Sequence, residues 1–97
     1  MSYKLILRQE AERDLIEAYK WYGEKVPGLG TDFLAVIERA LESIQQNPAR
    51  FPIIYRNVRR ALMRRFPYGI FYFLEGENII VLGVMHTARN PAKWRKP

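Results

Sequence analysis

The chain has 97 residues, of which 48% are hydrophobic and 27% charged, with one histidine and no cysteine. This length predicts one compact domain over residues 1–97, too small for a deep cofactor cavity, so we expect no cofactor. Zero cysteines exclude disulfides and thiolate metal sites, and a single histidine excludes a histidine-rich cage, so we expect no metal. The longest apolar runs, residues 70–74 and 79–85, are far shorter than the roughly 20 residues that cross a bilayer, and the amino terminus has no signal-like stretch. Together these observations predict a cytoplasmic protein without membrane contact.

The net charge of +6 is unevenly distributed along the chain. Up to Pro48 there are 6 basic and 8 acidic residues, a balance of −2, whereas the remainder has 10 basic and 2 acidic residues, a balance of +8. A positive field on half of a small domain predicts an anionic partner, either nucleic acid or an acidic protein segment, attracted by long-range electrostatics. The alternative is that the arginines only keep the protein in solution.

One predicted strand, residues 3–7, is followed by two predicted amphipathic helices. Apolar residues recur with helical spacing in two segments, the first ending near residues 23–27 and the second running from a cap at Thr31 or Asp32 to a stop at Asn47 and Pro48. The stripes predicted to be buried are Ala11, Leu15, Ala18, Tyr19 and Tyr22 on the first helix, and Phe33, Ile37, Ala40, Leu41 and Ile44 on the second.

Three further strands are predicted in the second half, at Val58–Arg65, Tyr68–Leu74 and Asn78–His86. The last two are joined by a turn at residues 75–78 and are apolar on both faces, which is typical of the middle of a sheet. The helical stripes should pack on Ile70 or Phe71, Tyr72 or Phe73, Ile80, Leu82 and Val84. The predicted fold is α+β, in the order β-α-α-β-β-β, with a two-helix hairpin packed on one face of a mainly antiparallel sheet.

The helical pair does not have the features of a DNA-reading helix-turn-helix. The connection over residues 24–32 is longer than the three or four residues of that motif, and the first helix is acidic. Its carboxylates are Glu10, Glu12, Asp14 and Glu17. Basic side chains lie between them, so we interpret this surface as solvated rather than as an acid–base or metal pair.

Several residues in the second half could support chemistry. They are His86, Arg89, Trp94 and Arg95 at and after the end of the last strand, and Arg59, Arg60, Arg64 and Arg65 on the arginine-bearing strand. Guanidinium groups bind phosphates, and a histidine or tyrosine can move the proton in metal-independent RNA cleavage through the 2′-hydroxyl. For a nuclease, the candidate catalytic residues are His86, Arg89, Arg64 and Tyr72. The alternative is structural, with His86 capping the strand end, Trp94 packing the tail onto the sheet and Arg89 pairing with the first helix.

Two motifs carry a family resemblance. They are Phe-Pro-Tyr-Gly-Ile-Phe-Tyr at residues 66–72 and His-Thr-Ala-Arg-Asn-Pro-Ala-Lys-Trp at residues 86–94. With these motifs and this order of elements, nearly the whole chain resembles the RelE/ParE superfamily of toxins. The resemblance implies the toxin of a type II toxin–antitoxin module, of the plasmid stabilisation type, held inactive by a cognate acidic antitoxin. Members differ in target, because RelE-like proteins cut messenger RNA in the ribosomal A site whereas ParE-like proteins poison DNA gyrase.

The sequence departs from the RelE-like nuclease pattern at two places. Those nucleases carry an arginine in a Tyr-Arg-x-x-Tyr strand, where this chain has Gly69. They also tend to carry a tyrosine after the arginine that follows the last strand, where this chain has Trp94 and Arg95. The indole of Trp94 cannot act as a base, because its N–H is only a donor. Arg89 matches the family's arginine, and His86 could replace the missing base.

The ParE-like pattern, Pro-Tyr-x-x-Phe-Tyr followed by His-x-x-Arg-x-Pro-x-x-Trp, is closer to this sequence, and a protein inhibitor of gyrase needs no general base. The resemblance therefore favours a gyrase-binding toxin, with a ribosome-dependent endoribonuclease and a non-toxic antitoxin-binding relic as alternatives. The residues predicted to contact the target or the antitoxin are Arg59, Arg60, Arg64, Arg65, Arg89, Trp94 and Arg95.

Overall fold

The computed structural model describes residues 3–88, so the predicted contact residues Arg89, Trp94 and Arg95 lie outside the described part of the chain. The helices and strands, in chain order, are β1 (Lys4–Leu7), α1 (Gln9–Lys25), α2 (Leu29–Gln46), β2 (Ile53–Tyr55), β3 (Val58–Leu62), β4 (Tyr68–Glu75) and β5 (Asn78–His86). A single 3-10 turn, Pro48–Arg50, follows α2. Within residues 3–88, neither helix is both long and apolar enough to cross a membrane.

The five strands form one sheet in the order β1-β5-β4-β3-β2. β1 pairs with β5 in parallel, and the other three pairings are antiparallel. Both helices pack on the same core as the sheet, so the predicted α+β architecture is confirmed. The two strands that are apolar on both faces, β4 and β5, lie inside the sheet as expected.

The arginine-bearing part of the sheet differs from the prediction. β2 was not predicted, because it has only three residues, directly follows Pro52 and pairs with β3 in an irregular register. β3 ends at Leu62 rather than at Arg65. The amide of Met63 still donates to the carbonyl of Tyr68 at 3.0 Å, after which the chain turns toward β4, so Arg64 and Arg65 lie in a loop.

The helical hairpin depends on two glycines. Gly28 has a φ of 87°, in the left-handed region that favours glycine, and it stands at the cap of α2 in place of the predicted Thr31 or Asp32, so α2 begins at Leu29. Gly30 lies against α1, since a Cβ built there would be 2.5 Å from the carbonyl oxygen of Tyr19. The close approach of the two helices therefore requires a residue without a side chain at position 30.

Most of the predicted helical stripe is buried. The residues that it contributes to the core are Ala11, Ala18, Tyr22, Phe33, Ile37 and Ile44, whereas Leu15, Ala40 and Leu41 are half-buried at its margin. The prediction was wrong for Tyr19, whose side chain is 42% exposed because its ring lies beside Gly30 rather than under the helices. The rings of Tyr22, Phe33, Phe66 and Tyr68 contact one another with centroids 4.9 to 6.1 Å apart and join the hairpin to the start of β4.

A β-bulge changes which residues of β5 face the helices. The register of β4 against β5 shifts between Phe71 and Tyr72. On β4 and β5 the residues that share a cluster with the helices are consequently Tyr68, Ile70, Tyr72, Ile79, Val81 and Val84. The predicted Ile80 and Leu82 are not among them, although Ile80 is itself buried. Strict alternation fails here because the bulge adds one residue to one strand.

Asp14 is not the fully solvated carboxylate that was predicted. Because β1 is only four residues long, it pairs with β5 no further than Val81, and α1 lies against the rest of that edge. There Asp14 Oδ2 accepts a hydrogen bond of 3.0 Å from the backbone amide of Val84. This contact satisfies a backbone donor that the short first strand leaves without a partner.

Candidate functional site

Arg59 and Arg60 are consecutive on β3 and therefore lie on opposite faces of the sheet. The guanidinium of Arg59 donates to the carbonyl oxygens of Ala49 and Phe51, at 3.0 and 2.6 Å. These two hydrogen bonds hold the segment between α2 and β2 against the sheet. The predicted contact residue Arg59 is thus already bound to the protein's own backbone.

Tyr72 is directly opposite Arg59 on β4 and is fully buried. Its hydroxyl donates to the carbonyl oxygen of Pro48 at 2.6 Å. Burial raises the pKa of Tyr72 from 10.0 to about 12, although the positive charges of Arg59 and Arg50 act in the opposite direction. The hydroxyl is therefore protonated at neutral pH and turned away from solvent, and the structure places this candidate base in the core.

Arg60 extends across Gly69 on the neighbouring strand. A Cβ built on Gly69 would lie 3.2 Å from Cγ and 3.3 Å from Cδ of Arg60, so the glycine makes room for the arginine. Arg60 Nε is buried and has no hydrogen-bond partner among the described residues. Gly69 occupies the position where the nuclease pattern has arginine, and the aliphatic stem of Arg60 from the adjacent strand covers that position.

His86 ends β5 opposite Tyr68, with the two ring centroids 5.3 Å apart. Its Nδ1 accepts a hydrogen bond of 3.1 Å from the backbone amide of Ala88, an arrangement that caps the end of the strand. His86 is half-buried, with Thr87 after it exposed. Since Tyr68 and Tyr72 are four residues apart on β4, His86 and Tyr72 lie about 13 Å from each other along the sheet.

Arg64 and Arg65 line a groove of about 720 Å³ between α2 and the end of β3, which we call the α2–β3 groove. Arg65 forms an ion pair of 3.2 Å with Asp32 of α2, and both side chains are about half exposed. The full lining is Asp32, Ala35, Val36, Arg39, Ala40, Ser43, Arg50, Phe51, Ala61, Leu62, Met63, Arg64 and Arg65. The groove therefore combines an apolar floor with a basic rim.

Two further arginines that were not predicted as site residues, Arg39 and Arg50, join Arg64 and Arg65 on this rim. Arg39 is on α2, in the half of the chain whose charge balance is negative, so the charge distribution along the sequence does not point to it. Its position three residues after Val36 and four before Ser43 was the available signal, because side chains three and four residues apart share one side of a helix. No cluster of three metal-binding side chains occurs within residues 3–88.

The predicted site residues thus fall into separate places. Arg64 and Arg65 meet in the α2–β3 groove, and Arg60 lies over Gly69. The half-buried Arg59 and the buried Tyr72 lie on the helical side of the sheet. Within the described residues, the structure does not bring the tyrosine of the candidate catalytic set into contact with the histidine.

Comparison with known proteins gives a consistent result. A family model described as the ParE toxin of the type II toxin–antitoxin system parDE matches residues 5–91. Toxin ParE2 from two strains of Mycobacterium tuberculosis is 27% identical over 92 residues, covering 94% of this chain and 88% of that protein.

Two solved structures share the fold. One is from the chromosomal ParDE system of P. aeruginosa, with a TM-score of 0.78 and 20% identity over 87% of this chain and 95% of that chain. The other is the toxin–antitoxin complex RelBE2 from Mycobacterium tuberculosis, with a TM-score of 0.61 and 24% identity over 89% and 99% of the respective chains. Since the family model spans both helices and all five strands of the sheet except the first residue of β1, the chain belongs to the ParE toxins of type II toxin–antitoxin systems.

Proposed function

We propose that this protein is a toxin that binds DNA gyrase and is neutralised by a cognate acidic antitoxin. The observation that carries the choice of gyrase is the position of Tyr72, whose hydroxyl is buried and bonded to Pro48. Together with glycine at position 69, this burial removes two groups that RNA cleavage would use. A toxin that acts by binding another protein requires neither.

The antitoxin is supported by family membership and by charge. The solved RelBE2 structure that shares this fold is described as a toxin–antitoxin complex. The second half of this chain has a balance of +8, which an acidic segment would neutralise. We infer that such a segment is disordered when free and folds on the toxin.

A second candidate function, ribosome-dependent cleavage of messenger RNA, is favoured by Arg60. A half-buried guanidinium whose Nε has no partner among the described residues is suited to hold a phosphate. It would replace the arginine that the chain lacks at Gly69. His86 would then be the proton-transfer group, because its ring lies at the end of the sheet rather than in the core.

Two assays with purified protein distinguish these functions. A gyrase-binding toxin inhibits supercoiling of relaxed plasmid or traps cleaved DNA, an excess of antitoxin restores supercoiling, and ribosomes programmed with messenger RNA show no new cuts. New cuts on the ribosome with full gyrase activity would instead support the nuclease. A free protein that is inactive in both assays, but that still binds the antitoxin when it is added, would be a non-toxic relic.

A further inference from the structure

The outer face of the sheet, which is turned away from the two helices, carries apolar side chains that are nevertheless buried. Val58, Phe71 and Ile80 are 7%, 3% and 9% exposed, yet none of them belongs to the cluster that the helices share with the sheet. Phe71 and Ile80 each lie between two members of that cluster, so the alternation of a strand directs their side chains to the opposite face. The outer face therefore has a cover of its own.

The described residues supply part of this cover. Toward one end of the face, the guanidinium of Arg8 lies 5.7 Å from the ring centroid of Phe73. Toward the other end, Arg60 extends over Gly69, and its Nε is buried although the helices pack on the opposite side. All of these side chains are buried within a single chain, so the cover belongs to the chain itself and not to a partner.

Two glycines make the middle of the outer face flat. Phe71 pairs with Gly83 and Met85 pairs with Gly69, so both glycines lie on this face. The Phe71 ring comes within 3.4 Å of the place where a Cβ of Gly69 would stand, and Met85 Cε within 2.7 Å of the corresponding place at Gly83. These side chains therefore lie along the sheet, over the glycines. Glycine inside a strand is typical of a place that another segment approaches closely.

The last segment of the chain begins beside this flat area. The amide of Thr87 still continues the ladder, with a bond of 2.9 Å to the carbonyl oxygen of Pro67, so residue 89 follows the sheet by two residues. Residues 89–97 can extend over about 30 Å, whereas five strands span about 19 Å. This segment lies outside the described part of the chain, and Trp94 is its one large apolar side chain.

We propose that residues 89–97 cross the outer face of the sheet and that Trp94 packs over Phe71 and Ile80. A planar indole fits a flat apolar surface and can keep its N–H at the margin, in contact with water. A second copy of the chain is a poorer occupant, because Arg8 and Arg60 would meet their own counterparts. An acidic partner is also a poorer one, since the face is already covered in the chain alone.

Such packing has a consequence that does not depend on the target. Arg60, the guanidinium that RNA cleavage would use to hold a phosphate, is opposite Phe71 and therefore lies on the covered face. A segment docked there keeps RNA away from Arg60 until the segment leaves. A target protein that binds elsewhere on the surface meets no such obstacle.

The direct test is an NMR measurement on the labelled full-length chain. We expect nuclear Overhauser contacts from the indole protons of Trp94 to the ring of Phe71 or the methyl groups of Ile80. Trp21, which is half exposed on α1, is the internal control and should show no contact with these two side chains. Random-coil chemical shifts for Trp94, with no such contacts, would overturn the proposal.

A double-mutant cycle tests the same contact through stability. The effects of Trp94→Ala and Ile80→Val on the unfolding equilibrium constant should be coupled by a factor of at least about two, because residues in contact do not act independently. The control cycle combines Trp94→Ala with Ile16→Val, at an exposed site on α1, and its effects should multiply. Ile80→Val removes a single methyl group, so the variant keeps the fold. Independent effects in both cycles would refute the contact.

Fluorescence of the Trp21→Phe variant, in which Trp94 is the only indole, distinguishes the other occupants. We expect acrylamide to quench the folded chain at least about twofold less efficiently than the denatured chain, at every protein concentration and with no partner present. Protection that appears only where the chain sediments as a dimer would overturn the proposal in favour of a second copy. Protection that appears only after the acidic protein encoded beside its gene is added would overturn it in favour of that partner.

Discussion

The hydroxyl of Tyr72 joins β4 to the turn that follows α2, through its bond to Pro48. Replacing Tyr72 with Phe removes this bond and leaves a buried carbonyl without its donor. We expect Tyr72→Phe to lower the free energy of unfolding by about 1 to 3 kcal/mol at pH 7. Denaturant unfolding measures this difference, and a variant as stable as the wild type would show that the bond contributes nothing.

The same variant has a characteristic pH dependence. Because the pKa of Tyr72 is raised from 10.0 to about 12, the folded protein keeps the hydroxyl proton at a pH where the unfolded chain has lost it. The contribution of the Tyr72 hydroxyl to the free energy of unfolding is complete below pH 10 and is lost as the pH rises through about 12. The stability difference between wild type and Tyr72→Phe should therefore shrink over this range. A difference that stays constant would mean that the hydroxyl titrates equally in both states.

His86 distinguishes the two toxin mechanisms at the scale of one side chain. If the protein is a nuclease, His86→Ala removes a proton-transfer group and lowers the cleavage rate by about 10² to 10⁴. If it binds gyrase, the same change removes one contact and costs about 1 to 2 kcal/mol of binding free energy. We expect the smaller effect in a supercoiling titration, and a loss of activity greater than a hundredfold would contradict it. Arg89→Ala cannot discriminate, since a positive charge serves either target.

At the scale of elements, the packing of α1 against α2 depends on the absence of a side chain at Gly30. Gly30→Ala places a Cβ 2.5 Å from the Tyr19 carbonyl oxygen, so the helices must separate. We expect a loss of about 1 to 3 kcal/mol in the free energy of unfolding. The control is Gly23→Ala in α1, where no atom lies within 4 Å of the new methyl group and the change should stabilise the protein by about 0.5 to 1 kcal/mol. Equal effects of the two substitutions would refute the close contact.

The elements that the sequence predicts well are those with a sustained period. The two helical stripes predict α1 and α2, and the long apolar runs predict the interior position of β4 and β5. The failures occur where tertiary contacts override a local pattern. The three residues of β2 carry no period, the bulge opposite Phe71 and Tyr72 places Ile79 rather than Ile80 in the cluster with the helices, and contact with Gly30 holds Tyr19 at the surface.

The candidate site was less predictable than the fold, because nearness in sequence does not fix the face of a strand. Arg59 and Arg60 are adjacent in the chain but lie on opposite sides of the sheet. The α2–β3 groove combines Arg39 from the acidic half with Arg64 from the basic half, and only the folded chain brings them together. Tyr72 has the residue type expected of a catalytic group, but its register opposite Arg59 determines that it is buried.

At the scale of the whole molecule, charge is separated between an acidic first helix and a basic second half. This separation predicts that the acidic antitoxin is attracted over a long range, so its association rate should fall as salt screens the charges. Stopped-flow measurements at about 50 and 300 mM salt, with dissociation followed separately, test this expectation. Association that is insensitive to salt, or separate elution of the two proteins at low salt, would show that charge does not direct the pairing.

The central claim is that the toxin acts by binding a protein rather than by cutting RNA. The most direct measurement is to map all new nucleic acid ends, in RNA and in DNA, in cells arrested by induced expression of the chain without its antitoxin. We predict new DNA ends bound to gyrase and an unchanged pattern of messenger RNA 5′ ends. New messenger RNA ends within translated codons, with intact DNA, would contradict the account and assign the activity to His86 and Arg60.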